Sequence, residues 1–149
     1  MIIRLAVPDD VEPIAAIAEA AYSIYVEAMG QKPAPMIADF AAQVSQGIVW
    51  VGEDAGVVCA YVVAYPKDDH THLENVAVDP SCQGKGYGLQ MVKFVEAMAR
   101  EQKRSAVELY TNVKMTGNQK WYPAIGYQEI DRREEDGFFR IFYRKQITV

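Results

Sequence analysis

The stretch Val76-Ala77-Val78-Asp79-Pro80-Ser81-Cys82-Gln83-Gly84-Lys85-Gly86-Tyr87-Gly88 reads as an apolar strand, a glycine-rich turn and the start of a long helix. Glycines there let the backbone adopt conformations closed to other residues and keep Cβ atoms away from a ligand. Successive N–H groups in such a turn form a concave nest, and the helix behind it adds a partial positive charge. This is the layout of a phosphate cradle, to which Lys85 adds a mobile cation. Spacing separates it from two other glycine loops. A P-loop needs Ser or Thr after its Lys to hold magnesium, and Gly86 stands there instead. A dinucleotide fingerprint runs Gly-x-Gly-x-x-Gly, whereas Gly84, Gly86 and Gly88 run Gly-x-Gly-x-Gly.

Working outward, residues 87–103 carry Gln90, Lys93, Glu96 and Arg100 three or four apart with mostly apolar residues between them, the pattern of a largely buried helix with one polar stripe. Upstream, residues 2–7 form a short strand stopped by Pro8. A helix follows, with Asp9 and Glu12 in capping-box spacing and Ile14, Ile17, Ala18, Ala21, Tyr22 and Tyr25 on one stripe. After the breakers of 30–35, Ile37, Phe40, Ala41 and Val44 form a second stripe ending at Gly47. Runs 48–52 and 57–65, separated by Glu53-Asp54-Ala55-Gly56, form a hairpin. A polar loop at 66–70 precedes a strand at 73–78. Downstream lie a strand at 107–110, a short helix at 118–125 ending at Gly126, a charged turn at 132–136 and an alternating strand at 137–145. The order β-α-α-β-β-β-α-β-α-β-β predicts an α+β fold: a mixed, mostly antiparallel sheet of six to seven strands flanked by about four helices.

With 149 residues, one domain spanning 1–149 is expected. Half the residues are hydrophobic, enough to build a core. Fifteen Lys and Arg against twenty Asp and Glu leave a net charge of −5, which disfavours a nucleic-acid partner. Cys59 and Cys82 lack the spacing of a disulfide framework or a zinc site, and no metal is expected. The start Met-Ile-Ile-Arg-Leu has no basic region leading into an apolar one, and no apolar run nears the roughly 18 residues of a membrane span. A cytoplasmic protein with no membrane partner is the expectation.

Gln83-Gly84-Lys85-Gly86-Tyr87-Gly88 resembles the Gln/Arg-x-x-Gly-x-Gly/Ala signature of the GNAT superfamily of acyl-coenzyme-A-dependent N-acyltransferases, and the element order is similar along nearly the whole chain. Trp121-Tyr122-Pro123-Ala124-Ile125-Gly126-Tyr127 resembles that family's aromatic-Tyr-x-x-x-Gly-Phe/Tyr segment. The resemblance implies that the turn Gln83, Gly84, Lys85, Gly86, Tyr87, Gly88, continuing to Leu89, binds the coenzyme A pyrophosphate. It implies that backbone groups of Val76, Ala77 and Val78 meet the pantetheine arm, where the cradle strand splays from the next one. Asn112 and Asn118 resemble the asparagine that contacts the arm, with a helix N-cap as the other reading of Asn118. Acetyl-CoA is the implied cosubstrate, and a homodimer with 138–143 as an edge is compatible with the family.

Amine acylation needs a base for the ammonium proton and an acid for the leaving thiolate. Tyr122 matches the family's general acid, with Pro123 beside it as a potential disturbance of helical geometry. Alternation puts His72, Glu74, Val76 and Val78 on one strand face, and a carboxylate there is costly unless used or paired. Glu74 is the preferred base, with His72 and Glu108 as alternatives. The expected reaction is acetyl transfer to a primary amine of a small molecule or peptide, by direct attack in a ternary complex. A catalytically inactive acyl-CoA-binding sensor or interaction module of the same fold is the competing reading. For the acceptor side, Tyr22, Tyr25, Glu27, Asp68 and Asp69 suggest a small cationic amine.

Overall fold

Residues 1–148 are described by a computed structural model. The elements are β1 (Ile2–Leu5), α1 (Val11–Tyr22), the single turn α2 (Val26–Met29), α3 (Phe40–Ser45), β2 (Val49–Asp54), β3 (Val57–Lys67), β4 (His70–Val78), α4 (Tyr87–Glu101), β5 (Ala106–Asn112), α5 (Thr116–Ala124), β6 (Gln128–Glu135) and β7 (Phe138–Gln146). The strands follow the order β1-β2-β3-β4-β5-β7-β6 in a seven-stranded mixed sheet, mostly antiparallel, with β4 and β5 parallel. The fold is α+β, as its element order predicts. Two compact units divide the chain: Met1–Tyr65 with Asn75–Phe94, and Pro66–Glu74 with the residues from Val95 onward.

In the first unit, β1, β2 and β3 pair antiparallel. The β2–β3 hairpin closes on Ala55 and Gly56, both at positive φ (52° and 80°), the two-residue geometry whose twist matches the flanking strands. Ile14, Ile17 and Ala18 of α1 and Phe40 and Val44 of α3 join Val49, Val51, Tyr61 and Val63 in one buried cluster. Each large aliphatic side chain buried there contributes roughly 1.5–3 kcal/mol. The stripe expected from Ile37 and Ala41 is not realised, since both are exposed. Asp39 caps α3 through Ala42 N–H, so the helix begins only at Phe40 and turns just Phe40 and Val44 inward.

The start of α1 differs from expectation in a telling way. Pro8 opens a 3₁₀ turn over Pro8–Asp10, which moves the N-cap position to Asp10 and leaves the Asp9–Glu12 box unmade. Asp10 instead accepts from Val7 N–H at 2.8 Å and from both terminal nitrogens of Arg4 at 2.7 and 2.9 Å. Arg4 also reaches Glu53. A fork of charge-assisted bonds outweighs a single cap bond.

In the second unit, β5 and β7 pair from Ala106↔Gln146 to Asn112↔Arg140, and β6 adds to the outer side of β7. The expected charged turn at 132–136 is corrected: Arg132 to Glu135 belong to β6, and the turn is Asp136-Gly137, with φ of 53° and 82°. Neither face of this edge strand is buried, so no alternation betrays it, and its charges discourage edge-to-edge pairing. The 138–143 run therefore lies between β5 and β6 and is not an edge for a homodimer. The polar loop expected at 66–70 is a tight turn, because β3 extends to Lys67 and β4 begins at His70. Glu96 departs from the polar stripe of α4. It is buried, accepts from Tyr127 Oη at 2.9 Å and pairs with Lys145 Nζ at 3.1 Å.

Asp10→Asn is expected to cost about 2 kcal/mol at pH 7. Arg4 holds the folded Asp10 carboxyl below its ordinary value of 3.8. The contribution is therefore full above that value and is lost as pH falls toward the lower folded one. Denaturant unfolding of both proteins at pH 7 and pH 3 should show a gap that narrows in acid, and a gap of constant size would contradict the ion-pair account.

Candidate functional site

The cradle is built entirely within the first unit. Strand β4 ends at Val78, and Asp79 N–H donates to the Cys59 carbonyl at 2.8 Å. The Asp79 carboxylate then accepts from Ser81 N–H at 2.9 Å and Ser81 Oγ at 2.7 Å, which closes a single 3₁₀ turn over Pro80–Cys82. Gly84 and Gly86 follow at φ of 85° and 77°. A Cβ at either would meet nothing within 4 Å, so glycine is required there by backbone conformation and not by crowding. Tyr87 opens α4, whose first-turn N–H groups have no partner inside the helix. Val76 and Val78 are half-buried on one face of β4, Ala77 is buried on the other, and Leu89 is half-buried.

Asp54, at the end of β2, anchors this turn and carries no signal in the sequence. Its carboxylate accepts from Tyr87 Oη and lies 3.8 Å from Lys85 Nζ. That hydrogen bond holds Asp54 below the usual carboxylate range and pushes the Tyr87 phenol up to about 12. A second anchor is Asn75, buried in β4. It donates to Tyr61 Oη at 2.7 Å and accepts from Tyr22 Oη at 2.9 Å, and Tyr22 Oη also lies 2.9 Å from the Val76 carbonyl oxygen. Tyr22, expected on the acceptor side, thus bonds to the strand backbone.

The second unit holds the proton-transfer candidates. Tyr122 is buried in α5, with Trp121, Tyr127 and Tyr143 rings at 4.9, 5.8 and 5.8 Å. Burial raises its pKa, so the phenol stays protonated through the neutral range. Its hydroxyl makes no hydrogen bond to any described residue. Pro123 lies inside α5 and leaves Tyr122 helical. Asn118 is the third residue of α5 and not its N-cap, which falls at Met115, and its amide donates to Thr111 Oγ1 at 2.9 Å. Asn112 accepts from Lys114 N–H at 2.9 Å.

Glu74 and His72 share the half-buried face of β4. Burial, with Lys67 and His70 adding to it, lowers His72 to about 4, which makes the imidazole a poor acceptor for an ammonium proton. Glu108 is committed elsewhere, because Arg144 donates to its Oε2 and also to Asp69 at 2.9 and 3.3 Å. Asp69, His70 and Glu108 place ligand-type atoms within 4.8 Å of one another, and the Arg144 guanidinium neutralises the two carboxylates. Asp69 is therefore no free anion for a cationic acceptor.

Residues 14–127 match the acetyltransferase (GNAT) family model. The chain belongs to this family. GNAT enzymes are acetyl-CoA-dependent N-acetyltransferases that act on amine acceptors. No curated protein is matched. Among solved structures, the chain is similar to the ribosomal-protein-S18-alanine N-acetyltransferase of Escherichia coli, with 18% identity over 99% of this chain and 94% of that one and a TM-score of 0.78. It is similar to PaiA N-acetyltransferase of Thermoplasma acidophilum, solved with coenzyme A, at 11% identity, coverage of 97% and 98% and a TM-score of 0.80. A GCN5-related N-acetyltransferase from Rhodopseudomonas palustris gives 18%, 98%, 95% and 0.82 on the same measures. At these identities the structural matches show the GNAT fold alone. No described helix is long and apolar enough to cross a membrane.

Burial of the His72 imidazole ties stability to pH. The unfolded chain takes up a proton near the ordinary value of 6.5 and the folded protein only near 4. Stability should therefore fall as pH drops between those values. Melting curves across that window should show a shallower decline for His72→Gln than for the wild type, and identical slopes would remove the buried neutral imidazole from the account.

Proposed function

We propose that residues 1–149 act as one N-acetyltransferase domain that moves an acetyl group from acetyl-CoA to a primary amine by direct attack in a ternary complex. The observation that supports the reading is Tyr122: a phenol kept protonated by burial, its hydroxyl bonded to no described residue, in a segment that resembles the family's motif for the acid. In this reading the N–H groups of the 83–88 turn and Lys85 hold the pyrophosphate. Backbone groups of Val76, Ala77 and Val78, with Leu89 and the side chains of Asn112 and Asn118, hold the rest of the cofactor.

Glu74 takes the proton of the attacking amine, directly or through water, so that the nitrogen lone pair is free to form the C–N bond. As the C–S bond breaks, Tyr122 delivers its proton to the sulfur and coenzyme A leaves as the thiol. Tyr122 then regains a proton from solvent, and the one taken by Glu74 is released. No covalent enzyme intermediate is needed, and the described neighbours of the Cys82 thiol, Ser81 Oγ at 3.7 Å and the Cys59 thiol, supply no base to make it a nucleophile.

Thiol release from acetyl-CoA with an amine panel tests the assignment. Tyr122→Phe should lower turnover roughly 10²- to 10⁴-fold with acetyl-CoA affinity nearly unchanged. Glu74→Gln should also lower turnover without weakening the cofactor. Wild-type turnover in Tyr122→Phe would remove the acid role, and acetyl-CoA binding without thiol release on any amine would favour the sensor reading.

A further inference from the structure

Within the second unit, Arg140 is a buried charged group set among aromatic rings. It is 5% exposed, on the face of β7 that register places opposite Asn112. The Tyr110 and Phe138 rings lie 4.1 and 5.1 Å from its guanidinium carbon. Only Nη1 is engaged, by Glu135 at 2.7 Å and Asp136 at 3.5 Å. Nε and Nη2 carry three N–H donors that bond to no described residue, and neither atom is among the described polar atoms sealed from solvent without a partner, so water or a ligand can reach them. The adjacent Nε–Nη2 edge is the fork that fits a carboxylate with two parallel bonds.

The same face presents the complement. Tyr110 feels the charges of both Arg140 and Glu74, and Glu74 follows the last β4–β5 ladder pair, Leu73↔Leu109, as Tyr110 does. A carboxylate suited to an ammonium and a guanidinium edge suited to a carboxylate thus flank one phenol. Asp69, by contrast, is neutralised by Arg144 and gives little support to a polycationic acceptor.

We propose that Arg140 is a specificity residue that binds a carboxylate of the acceptor through Nε and Nη2, so that the amine acetylated here belongs to an amino acid or a similar aminocarboxylate. The proposal rests on the acetyltransferase reading for its substrate but not for its anion site.

Two arms keep these apart. In the first, thiol release is measured with L-phenylalanine, L-phenylalaninamide and phenethylamine, with L-lysine, L-lysinamide and cadaverine, and with β-alanine against phosphoethanolamine. The carboxylates should be preferred, and Arg140→Lys and Arg140→Gln, each checked for folding by its melting curve, should raise their KM roughly 10- to 100-fold while leaving the amides within about threefold. Equal or better use of the amides and decarboxylated amines overturns the proposal. Preference for phosphoethanolamine, lost in Arg140→Gln, overturns it in favour of a phosphate-bearing amine.

In the second arm the Arg140 Nε–H cross-peak, assigned by its loss in Arg140→Lys, is followed in the coenzyme A complex on adding N-acetylglycine or its amide. A shift with the acid alone supports the anion site even if no amine in the panel is acetylated, in which case the transfer reading fails by itself. No shift with the acid, or equal shifts with both, removes the anion site.

Discussion

The passage from β4 to α4 turns on a backbone constraint at two positions. Between Val78 and Tyr87 the chain must leave a strand and start a fifteen-residue helix, and it does so through left-handed conformations at Gly84 and Gly86. A side chain at either position would meet open space, so the cost of replacing these glycines lies in φ and not in a clash. Everything nearby serves to hold that turn: Asp79 ties off the strand through Ser81, Asp54 receives the Tyr87 hydroxyl at the start of α4, and Asn75 locks β4 between two tyrosines. The result is a glycine turn held by bonds within the protein alone, and a site preformed in this way gains in binding over a flexible loop.

Proton chemistry is divided by environment in the second unit. Burial keeps the Tyr122 phenol protonated and the His72 imidazole neutral, one effect holding a proton on the first ring and off the second. Of the carboxylates on these strands, Glu108 is paired with Arg144. The pairs of charges are not interchangeable: Glu96 with Tyr127 and Lys145 fixes α4 to the last strand, and the Arg140 group has donors to spare.

Much of this was legible in the sequence. The glycine turn, the order of elements, the two motifs and the alternation of β4 all act over short spans of chain, where spacing reports structure directly. What was not legible depends on partners far apart in sequence. Asp10 forgoes a helix cap for Arg4, Glu96 leaves a polar stripe for residues 31 and 49 positions away, and Asp54 reaches the cradle only because a hairpin brings it there. The β6 edge was missed for a different reason, since a strand exposed on both faces has no hydrophobic period to read.

Calorimetric titration of the folded protein with acetyl-CoA tests, without knowledge of the acceptor, whether the 83–88 turn is a preformed acetyl-CoA cradle. The account predicts saturable binding in the micromolar range or tighter, weakened at least tenfold in Gly86→Val while the melting curve remains cooperative. Absence of binding by folded wild-type protein, or undiminished affinity in Gly86→Val, would contradict it.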